Sequence, residues 1–274
     1  MKKLAFLFLT YDNLKQIKVW ENYFNGADKE QYTIYVHSKN PSQVSDSILR
    51  GRQIKKLVST KWGDISLVNA TINLLEEAYM NPDNMFFILV SDSCIPITTF
   101  NEFYNFLMEQ DQSYILAYDS NKERYDEILD KTFISRENFK KQHQWMILNR
   151  SATHLIIITR QHTSIFSKMF APDEHYFVNV LLHYEQPFIN KLITYTDWRN
   201  STEHPKTFTI VDDSLIIELR KHGFYFLRKI DRNTDMKFMI VNWQIPVYVY
   251  SIGIVSFILI LQFIVKFFVP KRHK

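Results

Sequence analysis

The run Met85 to Val90 (MFFILV) restricts the fold of this chain more than any other stretch. Six apolar residues without a polar break describe a strand covered on both faces, which needs a layer above it and a layer below. The turn cluster Asn81-Pro82-Asp83-Asn84 precedes it. Before that, Ser66 to Met80 places Leu67, Ile72, Leu75 and Tyr79 at helical spacing, with Asp64 or Ser66 as N-cap. Further back, Leu4 to Leu9 (LAFLFL) reads as a buried strand. Asn13 to Phe24 reads as a helix with Ile17, Trp20 and Phe24 on one face, and Tyr32 to His37 alternates as a strand should. Strand, helix and strand in this order form βαβ units. The expectation is therefore an α/β fold, a mostly parallel sheet with helices on both faces.

The rest of the chain is read as follows. Gly51 to Val58 is basic and ends in a short strand. Phe100 to Leu107 is a helix, and the densely charged stretch Ser120 to Lys141 is an exposed loop. Lys191 to Thr196 is a strand, Asp197 to Lys206 a polar loop, and Asp213 to His222 a helix with Leu215, Ile216 and Leu219 inward. Val241 to Val265 carries no charge and is long enough to cross roughly 30 Å of hydrocarbon as a helix. Trp243, Tyr248 and Tyr250 lie on its entry side, and Lys266, Lys271, Arg272 and Lys274 follow it. The expected organisation is a domain over 1–236, a membrane anchor over 241–269 and a basic tail over 270–274. Leu4 to Leu9 is too short for a secretory signal. Cys94 is the only cysteine, so no intrachain disulfide can form, which points to a reducing compartment. Three sequons, at Asn69, Asn149 and Asn200, matter only in a lumen and are read as accidental.

The formal net charge of +4 suits an anionic small molecule or a membrane surface, and no basic stretch interleaved with aromatics favours nucleic acid. No glycine-rich phosphate loop, HExxH, CxxC, Asp-x-Asp or GxSxG occurs. A sugar-nucleotide site built from this chain would therefore use fixed cations, with Lys206 and Lys229 available, and no metal ligands are expected. Phe170-Ala-Pro-Asp-Glu-His-Tyr-Phe177 admits two readings: a proline-led helix start with favourable acids, or a site carboxylate. Ser91 to Pro96 leaves the central strand where open α/β sheets place ligands, and a plain polar turn is the alternative.

Several segments, in order, resemble the core-2/I-branching glycosyltransferase family, closest in look to its plant-type branch. They are Leu4 to Leu9, Trp20-Glu21, Tyr32 to His37, Trp62-Gly63 with Ser66 and Val68, Phe87 to Pro96, Gln144-Trp145, Pro172-Asp173-Glu174, Trp198, His204-Pro205-Lys206 and Arg228-Lys229. The resemblance covers roughly residues 3 to 232. It implies a GT-A-like α/β fold and an inverting, metal-independent transferase that moves a sugar, N-acetylglucosamine in characterised members, from a UDP-sugar to a glycan hydroxyl. No cofactor is implied beyond the donor.

On that resemblance Glu174 is the general base, Lys206 and Lys229 contact the diphosphate, and Trp198 stacks on the acceptor. Lysine at 206 replaces an arginine of some relatives and loses its bidentate fork. Cys94 stands where animal members have an acidic residue. His37, Trp62, Ser66 and Asp92, at strand ends or helix starts, are expected to face the nucleotide. Arg124 and Tyr125 are expected to reach the acceptor, Asp173 to cap a helix, and His175 to sit at the core edge. The expected partners are UDP-sugar, a glycan acceptor and the bilayer. A C-terminal anchor and the lone cysteine point to a cytosolic catalytic domain, with a Golgi or ER lumen as the alternative. A membrane-anchored glycan- or sugar-nucleotide-binding protein without catalysis is the competing function.

Overall fold

A computed structural model describes residues 1–199 and 204–238. The expected anchor and basic tail lie outside the described residues, and among the described residues no helix is long and apolar enough to cross a membrane.

The N-terminal part follows the apolar runs. It comprises β1 (Lys3–Thr10), α1 (Ile17–Asn25), β2 (Tyr32–Ser38), α2 (Ser66–Tyr79), β3 (Asn84–Ser91), the two-residue β4 (Ile95–Pro96) and α3 (Phe100–Met108). β1 pairs in parallel with β2 and with β3, and is buried along nearly its whole length. Alternate side chains meet different layers. Phe6 packs against Trp20 and Phe24 of α1 and against Phe100 and Phe103 of α3, while Phe87 on the opposite face stacks on Tyr79 of α2. Helices thus cover both faces.

α1 begins four residues later than the periodicity predicts, because Asn13 serves another segment. Its Oδ1 accepts the backbone N–H groups of Ser45 and Asp46, and the Leu14 N–H goes to Asp46 Oδ2. The strand expected near Val58 is reduced to a single bridge between Val36 and Gln53.

The next elements are β5 (Ser113–Tyr114), β6 (Ala117–Asp119), α4 (Lys122–Asp126), β7 (Lys140–Gln142), β8 (Ile147–Asn149), α5 (Arg150–Ile158), α6 (Tyr176–His183) and β9 (Phe188–Ile189). They extend the main sheet to the order β2-β1-β3-β8-β5-β9. β8 runs antiparallel to both its neighbours, so the sheet is mixed but mostly parallel. The charged stretch 120–141 is not a free loop: Ile128, Phe133, Ile134 and Phe139 are buried, and its end forms β7 against β6. Widely spaced apolar anchors among many charges carry no periodicity to read.

β8 ends in Asn149, whose side chain caps α5 by accepting the Ala152 N–H at 2.9 Å and also binds Ser113 and the Asp111 carbonyl. That sequon is consumed by the fold, Asn69 lies inside α2, and Asn200 is outside the described residues.

The chain closes with β10 (Thr194–Thr196), β11 (Phe208–Asp212), α7 (Asp213–Lys221), β12 (Phe226–Arg228) and β13 (Ile230–Lys237). β12 lies between β10 and β4, which brings Arg228 to the C-terminal end of β3. On α7, Ile216 and Leu219 are buried, whereas Leu215 is only partly so.

Candidate active site

Two clusters form at the carboxyl end of the sheet. The first is cationic. Arg228 donates from one Nη1 to Ser91 Oγ (2.6 Å) and Ser93 Oγ (3.1 Å), and its guanidinium lies 4.5 Å from the Trp145 ring centre. Stacking plus two hydroxyl acceptors fixes the planar fork in one orientation. Ser91 Oγ also lies 3.3 Å from Cys94 Sγ, and burial pushes that thiol up despite the nearby Arg228 charge. Lys229 follows directly, its ammonium disfavoured by burial and by Arg228. Asp92 pairs with Lys15 at 3.1 Å. The Phe208 N–H donates to the Lys229 carbonyl (2.9 Å), which sets Lys206, two residues earlier, beside the Arg228–Lys229 segment. The Lys206 N–H binds the Asp197 carbonyl (2.7 Å). The Asp197 carboxylate is held down to about 2, chiefly by its hydrogen bonds from Arg199.

The second cluster is built on Pro172–Glu174, a single 3₁₀ turn ahead of α6. The turn is fixed from outside. Ala171 adopts a left-handed conformation (φ 52°), which costs a non-glycine residue about 1–2 kcal/mol, and its N–H donates to the Gly63 carbonyl at 3.0 Å. Gly63 itself has φ +69°, and a Cβ there would stand 2.8 Å from Phe170 Cε2, so only glycine permits this approach. Phe170 is held by Trp62 edge-on (5.3 Å), by the Arg124 guanidinium over its ring (4.7 Å), and by its N–H bond to Glu127.

Strand β7 is locked to α6 next to this turn. The Lys140 N–H and carbonyl both bind the Asn179 side chain (2.9 and 2.8 Å), and Gln142 Oε1 accepts the Val178 N–H at 2.6 Å. Between these anchors Lys141 meets Glu174, Nζ to Oε2 at 2.8 Å. Burial opposes the Lys141 charge, but its hydrogen bond to Glu174 and the opposite charge outweigh that, so it titrates above an ordinary lysine.

Asp173 is not the expected helix cap. The turn and α6 have no side-chain cap, and Asp173 is buried with Oδ1 lacking any partner, so burial and then the Glu174 charge push its carboxyl up to about 7. His175 is buried as expected, its two nitrogens engaged with the Ala171 carbonyl (3.1 Å) and Ser120 Oγ (3.0 Å), and burial depresses it to about 4.

His143 joins the clusters. Burial, then the charges of Lys141 and Arg228, hold it down to about 4, so it is a neutral ring between two cations. Thr196 Oγ1 lies 3.4 Å from its Nδ1, and Trp198 stands edge-on at 6.5 Å. Glu174, Trp198, Lys229 and Asp92 therefore belong to one connected edge.

The remaining predicted residues are placed differently. His37 is fully buried and its Nε2 accepts the Val58 N–H at 3.0 Å, which ties the 51–58 segment to β2. Ser66 Oγ accepts the Lys61 N–H and its own N–H binds Asp64, closing the turn into α2. Trp62 borders the Glu174 turn through Phe170 and also meets His204 at 6.0 Å. Arg124 pairs with Glu127 (2.7 Å), whereas the Tyr125 hydroxyl is spent on the Ile134 carbonyl and its ring on Phe139. Lys141 and His143 escape the sequence reading, and Arg228 enters it only within the Arg228-Lys229 segment, with no role of its own. Lys141 sits in a run of charges that looks solvated, and Arg228 is overshadowed by Lys229. Among the described residues no group of three His, Cys, Asp or Glu side chains is arranged to hold a metal ion.

Comparison with known proteins meets this geometry. Among curated sequences the chain is 27% identical over 252 residues to Glycosyltransferase BC10 of Oryza sativa subsp. japonica, covering 77% of this chain and 63% of that protein. Among solved structures it aligns with a bifunctional glycosyltransferase, WbbM, in its apo form, at TM-score 0.40 and 9% identity over 83% of this chain and 46% of the other. The chain thus spans less than two thirds of either protein. The model of the core-2/I-branching enzyme matches residues 4–220, most of the chain, and the chain belongs to that family.

Proposed function

We propose that the chain is an inverting glycosyltransferase of GT-A-like fold that moves a sugar, N-acetylglucosamine by resemblance, from a UDP-sugar to a glycan hydroxyl. Family membership and the name of the rice relative support the reaction class. The observation that carries the mechanism is a carboxylate, Glu174, set on the same sheet edge as the fixed cations Arg228 and Lys229. Glu174 accepts the acceptor hydroxyl proton as the oxygen attacks the anomeric carbon, a step contributing about 10²–10⁴-fold. Lys229 and Lys206, with Arg228 beside them, stabilise the negative charge growing on the departing diphosphate, the role a metal ion plays elsewhere. Trp198 offers a ring face to the acceptor sugar, and Trp62 and Arg124 border the same turn.

Release of UDP from a panel of nucleotide sugars tests this reading. Turnover is expected with a UDP-sugar and without added metal, and Glu174→Gln lowers it by about 10²–10⁴-fold while donor binding persists. No UDP release from any nucleotide sugar points instead to a glycan-binding protein of the same fold. We also infer membrane attachment through residues 241–265 with the catalytic domain on the cytosolic side, which protease protection of the N-terminal domain in sealed membranes would overturn.

A further inference from the structure

We propose that Lys141 is the positioning residue of the site: it holds Glu174 by one carboxylate oxygen and leaves the other directed to the incoming hydroxyl. This rests on Glu174 being the proton acceptor. Three observations support it. The contact is short, 2.8 Å, and neither side chain is fully solvated, at 35% and 31% exposure. A pair in this setting is screened less than a surface pair. The lysine is also anchored, unlike a flexible surface lysine. Its strand neighbours Lys140 and Gln142 are hydrogen-bonded to Asn179 and Val178 of the helix that follows Glu174, so base and tether ride on one rigid unit. Finally, the contact is made through a single carboxylate oxygen of Glu174, Oε2.

The chemistry follows from that division. As the acceptor oxygen bonds to the anomeric carbon, its proton passes to Oε1, and the anomeric carbon–phosphate oxygen bond breaks with its electron pair leaving on the diphosphate. Lys141 keeps its protons and fixes the carboxylate plane throughout. The other groups facing this pair are Asp173, Tyr118 across the β6–β7 ladder, His143, His175 and Arg124.

The test is UDP release from UDP-N-acetylglucosamine by the full chain, with kcat and donor KM measured for wild type, Glu174→Gln, Lys141→Met and Lys141→Arg, and unfolding midpoints recorded for each. Lys141→Met is expected to lower kcat by about 10- to 100-fold at nearly unchanged KM for the donor, through lost orientation. Lys141→Arg keeps a cation against the carboxylate and restores part of the rate. An unchanged kcat in Lys141→Met, with Glu174→Gln inactive, overturns the Lys141 role alone. Wild-type turnover that Glu174→Gln leaves intact overturns the base assignment, and no turnover by wild type overturns the activity on which both rest. A misfolded Lys141→Met leaves Lys141→Arg to decide: a folded Lys141→Arg no more active than Glu174→Gln also refutes the proposal.

Discussion

Two aromatic regions of this molecule use the same residue types to opposite ends. Around Phe6 the rings of Trp20, Tyr23, Phe24, Phe100 and Phe103 pack at 5.2–6.4 Å between centres and are all buried. Around the Glu174 turn, Trp62, Phe170, Tyr118 and Trp198 are 67%, 43%, 42% and 38% exposed. In the first region every ring packs on other rings, so its free energy is already realised in the fold. In the second, Gly63, Arg124 and His143 hold the rings while part of each stays open to solvent. The difference lies in what the backbone supplies. Strands and helices press the first set together, while tight turns at Gly63 and Ala171 present the second.

Substitutions can break that contrast, and the largest effect belongs to the buried set. Trp20→Ala removes a fully buried ring and its indole N–H bond to the Cys94 carbonyl (2.9 Å), and is expected to destabilise by about 3–5 kcal/mol in urea unfolding. A loss under about 1 kcal/mol would mean the cluster can collapse around the cavity.

Asp173→Asn comes next. In the folded chain Asp173 is raised to about 7 from 3.8, so its protonated form favours folding at low pH and that contribution is lost as pH rises through about 7. The variant is expected to flatten stability over that window by on the order of 1.4 kcal/mol per pH unit, and to be the more stable protein above it. His175 and His143, both depressed to about 4 by burial, act in the opposite sense as pH falls below the ordinary histidine value. The difference between variant and wild type, measured by unfolding at several pH values, is therefore the diagnostic quantity.

Trp62→Ala gives the smallest effect on the fold, expected within about 0.5 kcal/mol because its ring is mostly solvated. It should nonetheless weaken saturation by the UDP-sugar donor. A large loss of stability would place Trp62 with the buried set.

The contrast also explains what the sequence disclosed. β1, β2 and β3 are legible because uninterrupted or alternating apolar residues have few alternatives, and α2 because its spacing is regular. β8 is too short to declare its direction, and its antiparallel pairing follows from β5 and α5 rather than from its own residues. At the site, Pro172-Asp173-Glu174 reads equally as helix start or acid pair, and only the placement of Lys141 separates the roles of the two carboxyls. Asp173 illustrates the limit: acid at a helix start ordinarily faces outward to free N–H groups, whereas here it is buried with Oδ1 unpartnered. Lys141 and Arg228 acquire significance from strands distant in sequence, which no local pattern encodes.

Cys94 ties the Phe6 cluster to the Arg228 cluster, its carbonyl accepting from the Trp20 indole and its thiol beside Ser91, which in turn receives Arg228. Being the only thiol in the chain, and buried with a raised pKa, it is a single internal reporter. Alkylation of the native protein proceeds only through molecules that have transiently opened this junction. Its labelling rate, with and without a nucleotide sugar, therefore measures how firmly an occupied site clamps the core beneath it, with no engineered probe required.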